Sequence, residues 1–297
     1  MTMHTKAGSQ KKWDLKAPFL ALAGGLMVTG CIHPSTTSPD SALHAGDRYV
    51  ALGSSYAAGP NLGPAQPGSP KRCGRTQANY ATLLAQKLNL KLVDASCGGA
   101  QTKDLLHPWK ELPAQLDAVT AGTRLVTVTV GGNDINFVGE LFAASCRAGA
   151  LGDGDTSKCA PRKPLASEEQ YAALEKSMLA IANTVHQKAP KAKLVFVDYV
   201  SVVPSKSCAA APILPEDQAP LTQMGKRLAA ITAKVAKESG AMFVDAGAMS
   251  KDHDPCDPAP WAHGMNQDFD DSQGAPWHPT RLAMQDIADA LASRLKR

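Results

Sequence analysis

The chain predicts an α/β fold, a three-layer α/β/α sandwich around a mostly parallel five-stranded sheet, on three observations. Short apolar runs alternate with longer segments whose apolar residues recur at helical spacing. Strand, helix and strand in succession imply crossover units, and five strands separated by helices imply the three layers. With 297 residues, 44% apolar and 20% charged, the chain can bury one full core.

The elements follow in order. Residues 49–53 form a short apolar strand, and residues 76–88, "TQANYATLLAQKL", place Tyr80, Leu83, Leu84 and Leu88 on one helical face before an extended run at 91–94. "LVTVTV", residues 125–130, is the clearest strand, because alternation and β-branching agree. A Cys-bounded, Gly-rich segment at 146–159 precedes a helix over 167–188, a strand over 193–198, a helix over 218–239 and a strand over 242–245. A last helix starts at Pro279 or Thr280, where Pro suits a first turn, and runs to about Leu295. No second core and no internal repeat is visible, so residues 47–297 read as one domain.

The first thirty residues read differently. Lys6, Lys11, Lys12 and Lys16 precede "APFLALAGGLMVT", an apolar run too short to span a bilayer and broken by Gly24 and Gly25. This is the pattern of a secretory signal. It ends in Val28-Thr29-Gly30-Cys31, which resembles the lipobox of bacterial lipoproteins, and that resemblance implies lipidation of Cys31 and anchoring at a membrane surface. Residues 31–46, rich in Pro, Ser and Thr, then read as a tether.

Those four lysines, offset by Asp14 alone, carry three of the four net positive charges. The remainder is nearly neutral, so nothing electrostatic favours a nucleic-acid partner. Beyond Cys31 there are Cys73, Cys97, Cys146, Cys159, Cys208 and Cys256, an even set that argues for disulfides in an exported chain, with fifteen pairings open. No CxxC and no Cys–His spacing typical of zinc occurs, so no metal and no cofactor is expected.

In a parallel α/β sheet the site lies beyond the carboxyl ends of the strands. There the chain places Gly53-Ser54-Ser55-Tyr56, then "SCGGAQT" from Ser96, then Gly131-Gly132-Asn133-Asp134, and, before the last helix, Trp277-His278-Pro279. Each cluster alone could be a cap or a turn. Converging on one edge, they supply a hydroxyl nucleophile, an imidazole base and amide donors for an oxyanion, the parts that acyl transfer through serine requires.

With "ALGSSYAAG", "CGGAQT", "VGGNDINF" and "WHP" in this order, the chain resembles the SGNH, or GDSL-type, hydrolases over the whole stretch after the tether, in their secreted, cysteine-rich actinobacterial branch. The resemblance implies a flavodoxin-like sheet and a serine esterase or lipase acting on ester or lipid substrates. It implies Ser55 as nucleophile, His278 as base, and Ser55, Gly99 and Asn133 as oxyanion donors. It also implies the sequential disulfides Cys73–Cys97, Cys146–Cys159 and Cys208–Cys256.

Two positions depart from the family's pattern. Ser54 stands where the family usually has Asp, adding a second hydroxyl beside Ser55, and Ala275 stands where the triad aspartate would be. The expectation is therefore a Ser55–His278 dyad whose imidazole Nδ1–H is held by a backbone carbonyl of residues 275–277, that of Trp277. The acidic segment around Asp252, Asp254, Asp257, Asp268, Asp270 and Asp271 reads as a solvated loop tied down by Cys256, and Lys71, Arg72 and Arg75 as a solvent-facing group. A monomeric, membrane-tethered esterase follows. The alternatives are an acyltransferase on envelope substrates and a catalytically inactive lipoprotein that binds acyl or glycan ligands.

Overall fold

A computed structural model describes residues 42–152, 156–162 and 165–296. The expected signal segment, Cys31 and all but the end of the expected tether lie outside the described residues. The chain divides into two units, and the one described here is Asp40–Arg297.

Five strands and eight helices alternate in the order β1 (Arg48–Gly53), α1 (Ser55–Ala58), α2 (Tyr80–Leu88), β2 (Lys91–Asp94), α3 (Thr102–Leu106), β3 (Thr123–Thr129), α4 (Phe137–Arg147), α5 (Glu168–Lys188), β4 (Lys193–Val197), α6 (Pro215–Ser239), β5 (Met242–Val244), α7 (Ala246–Met249) and α8 (Arg281–Leu295). The strands form one sheet in the order β2-β1-β3-β4-β5, and every pairing is parallel. From β1 the chain moves to one side for β2, then crosses back over β1 to β3. Right-handed crossovers in opposite directions put helices on opposite faces, which completes the three layers. Accordingly α2 packs on α8, and α5 on α6.

Local chemistry sets the helix starts. The Asn79 side chain accepts the Thr82 N–H at 2.8 Å, so α2 begins after Asn79 rather than at Thr76. Ser167 and Gln170 form a reciprocal capping box that opens α5. Pro215 occupies the first turn of α6, three residues before the expected start. The Thr280 hydroxyl caps α8.

The structure adds α4 to the elements expected from the sequence. Its buried Phe137, Val138, Leu141, Ala144 and Ser145 do carry helical spacing, hidden between two glycine-rich stretches.

The core along the strands is mostly apolar, with Tyr49, Val50, Leu52, Leu125, Val126, Val128 and Phe196 buried, and its buried Thr127 hydroxyl is paired with that of Tyr49 at 2.7 Å. Three disulfides join Cys73 to Cys97, Cys146 to Cys159 and Cys208 to Cys256, the pairing that the resemblance implies. Among the described residues no helix is long and apolar enough to cross a membrane.

Candidate active site

Because β2 and β3 flank β1 on opposite sides, the sheet's topological switch point lies beside β1, and the crevice beyond its carboxyl end is where an open α/β sheet holds ligands. Gly53 ends β1 at φ +141°, and a Cβ there would stand 2.3 Å from the Thr129 carbonyl oxygen of β3, so only glycine lets the two strands close at this point. The Gln115 side chain seals the same end, accepting the Gly53 N–H at 2.7 Å and donating to its carbonyl at 2.9 Å. The chain then turns at once into the single turn of α1, which presents Ser55 at the sheet edge.

His278 reaches Ser55 from the other end of the chain. Its Nε2 is 2.8 Å from Ser55 Oγ, and its Nδ1 is 2.7 Å from the Pro276 carbonyl oxygen. A carbonyl can only accept, so Nδ1 carries the hydrogen and Nε2 is left to accept from the serine hydroxyl. Ser55 and His278 are 9% and 7% exposed. Burial pulls the imidazole down to about 4, the hydrogen bond to Pro276 opposing it only in part, and nearby His263 lowers it further.

The expectation that Trp277 supplies the carbonyl is corrected to Pro276. Residues 275–278 form a turn closed by the His278 N–H on the Ala275 carbonyl at 3.2 Å, with Pro276 at its second position and Trp277 at φ +61° at its third. This is the type II geometry, which points the second residue's carbonyl one way and the third's another. The Trp277 carbonyl is occupied by the Tyr56 hydroxyl. Proline in "APWH" was the available signal, since it favours the second position of such a turn.

A short antiparallel clamp holds this turn in place: His263 N–H donates to the His278 carbonyl at 3.0 Å, Trp277 N–H to His263 at 3.2 Å, and Thr280 N–H to Trp261 at 2.9 Å. The clamp's partner strand continues from the segment that the Cys208–Cys256 disulfide ties to residues 208–211. Asp254, in that segment, accepts the Ser205 and Cys256 N–H groups at 2.8 Å each, so this carboxylate shapes turns. Asp270 accepts the Ser272 N–H at 2.9 Å, and both Asp270 and Asp271 are exposed.

The loops after β2 and β3 are clamped to each other. The Asn133 amide donates to the Ala100 carbonyl at 2.9 Å, Gln101 donates to the Asn133 carbonyl at 3.0 Å, and Asp134 accepts the Thr102 N–H at 3.1 Å as well as its hydroxyl. Gly99, in the loop after β2, is exposed at φ +80°. The Cys73–Cys97 disulfide and the Gly98 N–H on the Cys73 carbonyl at 2.9 Å anchor the same loop. An Asn side chain has two amide hydrogens, so Asn133 retains one beyond its bond to Ala100.

Ser54 stands at the N-cap of α1, but its side chain makes no capping bond. It is fully buried, with its N–H on the Thr129 carbonyl at 2.9 Å and its Oγ 3.1 Å from the Tyr199 hydroxyl. Tyr199 also accepts the Gly132 N–H at 3.1 Å, and its ring lies 4.1 Å from that of Tyr56, which is 5.0 Å from the His278 ring. Neither tyrosine's part was legible in the sequence: Tyr56 follows Ser55 directly, but nothing marks Tyr199, 145 residues from Ser54. Arg72 corrects the solvent-facing expectation. It bonds Glu111 at 2.7 Å and covers the Trp109 ring at 4.0 Å, and that ring lies within 3.5 Å of a Cβ built on Gly99.

Fold and cleft together define a hydrolase of carboxylic esters. The chain belongs to the GDSL-like lipase/acylhydrolase family, whose model matches residues 51–285. It is similar to Lipase 2 of Streptomyces coelicolor, 32% identical over 251 residues covering 81% of this chain and 83% of that protein. It is also 28% identical to a lipase of Streptomyces rimosus over 78% of this chain and 80% of the relative. A crystal structure of an extracellular lipase from S. rimosus superposes with a TM-score of 0.65 at 25% identity, over 84% of this chain and 99% of the other. That of phospholipase A1 from Streptomyces albidoflavus gives 0.65 at 24% identity, over 85% and 100%, and shares the fold.

Proposed function

We propose that this hydrolase works through an acyl-enzyme on Ser55, with His278 as general base and no carboxylate behind it. The observation that carries this reading is the His278 ring held between Ser55 Oγ at 2.8 Å and the Pro276 carbonyl at 2.7 Å. In the first step Ser55 Oγ attacks the ester carbonyl carbon while its proton passes to Nε2. The negative oxygen is met by the backbone N–H groups of Ser55 and Gly99 and by the free amide hydrogen of Asn133. The tetrahedral species collapses as the imidazolium returns the proton to the leaving alcohol, and a water deprotonated by the same Nε2 releases the acid.

Burial keeps the imidazole in its base form well below neutral pH. The same burial opposes the imidazolium formed during attack, and the Pro276 carbonyl offsets part of that cost. A ligand-binding lipoprotein without activity would have no use for a base seated on a hydroxyl in this tautomer.

The substrates we infer are acyl esters of lipids at a cell envelope. Support comes from the lipase relatives, from three disulfides that fit an oxidising compartment outside the cytoplasm, and from the signal and lipobox ending at Cys31. Large apolar side chains are exposed only singly among the described residues, at Leu151, Leu165 and Leu282, which supports a monomer. Hydrolysis of an aryl-ester series of rising acyl length tests the activity and ranks the substrates. The reading predicts turnover that Ser55→Ala abolishes; turnover unchanged in Ser55→Ala would overturn it. An alcohol added to the same assay separates hydrolysis from acyl transfer by its products. Radiolabelled palmitate should be incorporated by the wild-type chain and not by Cys31→Ser; persistence in that variant would remove the anchor.

A further inference from the structure

A cavity of about 300 Å³ opens beyond the carboxyl ends of β4 and β5, against the first half of α6. Ser55, Gly99, Asn133 and His278 are not among its lining residues. Its walls are largely apolar, from Phe137, Val200, Val202, Val203 and Ala229, and its acidic groups are Asp198 and Asp245.

Asp198 is 3% exposed, and its Oδ1 has no hydrogen-bond partner. A carboxylate oxygen buried without a donor is costly, so it is retained only where something meets it or its proton. Its other oxygen is covered by backbone. A Cβ on Gly247 would come 3.1 Å from Asp198 Oδ2 and 3.1 Å from the Tyr199 carbonyl, so glycine lets α7 close over that side, and Asp198 itself lines the cavity. Asp245 Oδ1 is engaged by the Ala248 N–H at 2.8 Å.

We propose that this cavity is a second binding site, for an organic cation that places an ammonium group on Asp198 and a short apolar body against Phe137 and the valines. The donor set excludes a metal centre as the occupant, since no group of three or more His, Cys, Asp or Glu side chains that could hold an ion occurs among the described residues. Apolar walls favour a carbon skeleton over a hydrated ion. The other titratable residues lining the cavity are Asp245 beyond β5, Tyr199, whose backbone N–H bonds the Asp198 carboxyl, and Lys226 of α6, which is exposed. Burial first, then Asp245, raises the Asp198 carboxyl to about 7, so a cation entering at neutral pH drives off its proton. The site stands independently of the esterase reading, because it shares none of that reading's reacting groups.

Calorimetric titration of the full protein near pH 7 with n-butylammonium, and separately with n-butanol, tests it. The cation should bind at least tenfold more tightly than the alcohol, and runs in two buffers of different ionisation enthalpy should show proton release. Protein inactivated at its serine by an organophosphate should bind equally well. Asp198→Asn should lose both the preference for the cation and the proton release. Ala229→Trp, which fills the cavity and leaves the carboxyl in place, should lose binding if Asp198→Asn fails to fold. Equal affinity for cation and alcohol, undiminished binding in both variants, or loss of binding after serine inactivation would each overturn the proposal.

Discussion

Ser54 Oγ lies 3.1 Å from the hydroxyl of Tyr199, which at the same distance accepts the Gly132 N–H, so one buried phenol joins the Ser55 loop to the loop that carries Asn133. Burial pushes this phenol up to about 12 and keeps it protonated, able to accept from Gly132 while donating to Ser54. The pair explains why serine serves at position 54, where the resembling family usually has aspartate: the space beside the nucleophile is already filled by a neutral hydroxyl donor. Tyr199→Phe leaves the Gly132 N–H buried without an acceptor, at about 1–3 kcal/mol. Its melting temperature should fall by several degrees, and kcat should fall about tenfold with KM little changed, because Asn133 is displaced by a fraction of an ångström. Ser54→Ala should keep most activity, since Tyr199 still holds Gly132. Steady-state kinetics and thermal melts of the two variants check both outcomes.

His278 sets the pH response. Its folded value of about 4 lies below the usual histidine range, so kcat/KM should climb as pH rises through about 4 and stay level across neutrality. Stability carries the same signature. Between about 6.5 and 4 the unfolded chain binds the proton that the folded chain refuses, so this histidine's contribution is complete above about 6.5 and is lost as pH falls toward 4. A pH–rate profile on a neutral ester, with melts across the same range, measures both. An acid limb centred near 6.5 would mean that the ring is more hydrated than its burial implies.

The carboxylates beside the histidine loop are spectators in this account. Asp270 is occupied by the Ser272 N–H, and Asp271 is exposed, while His278 Nδ1 is already held by Pro276. Asp270→Ala and Asp271→Ala should therefore retain most activity, and Ser55→Ala and His278→Ala should lose at least about a thousandfold in kcat. If either aspartate variant fell as far as His278→Ala while still folded, a carboxylate would be completing a triad.

The three disulfides should separate by role. Cys73–Cys97 anchors the Gly99 loop and Cys208–Cys256 the segment that clamps His278, whereas Cys146–Cys159 closes the end of α4. In the chain-entropy picture the loop between Cys208 and Cys256 is worth about 4 kcal/mol and that between Cys146 and Cys159 about 3. Replacing Cys146 and Cys159 by serine should lower the melting temperature and spare kcat; the same change at Cys208 and Cys256 should lower both. Thiol titration of the denatured, unreduced protein should find none of these six cysteines free.

Much of this was legible before the structure because the relevant signals are local. Strand runs such as "LVTVTV" and the clusters at the strand ends lie contiguous in the chain, and the parallel topology then carries them to one edge. What escaped was long-range or conformational. The acceptor for His278 depends on the backbone path of a turn, and Trp277 takes a positive φ that nothing in its side chain advertises. The Tyr199 contact needs the sheet's register to bring β4 beside β3. The helix α4 was masked by its glycine-rich flanks, although its apolar spacing was present.

The central claim is that Ser55, and not its neighbour Ser54, is made nucleophilic by His278 alone. Mass-spectrometric mapping of the adduct left by a dialkyl fluorophosphate on wild-type protein and on His278→Ala tests it most directly, since covalent capture requires an activated hydroxyl beside oxyanion donors. The account predicts a single phosphorylated residue, Ser55, in the wild type and almost none in His278→Ala. An adduct on Ser54, or labelling of Ser55 that survives loss of the imidazole, would contradict it.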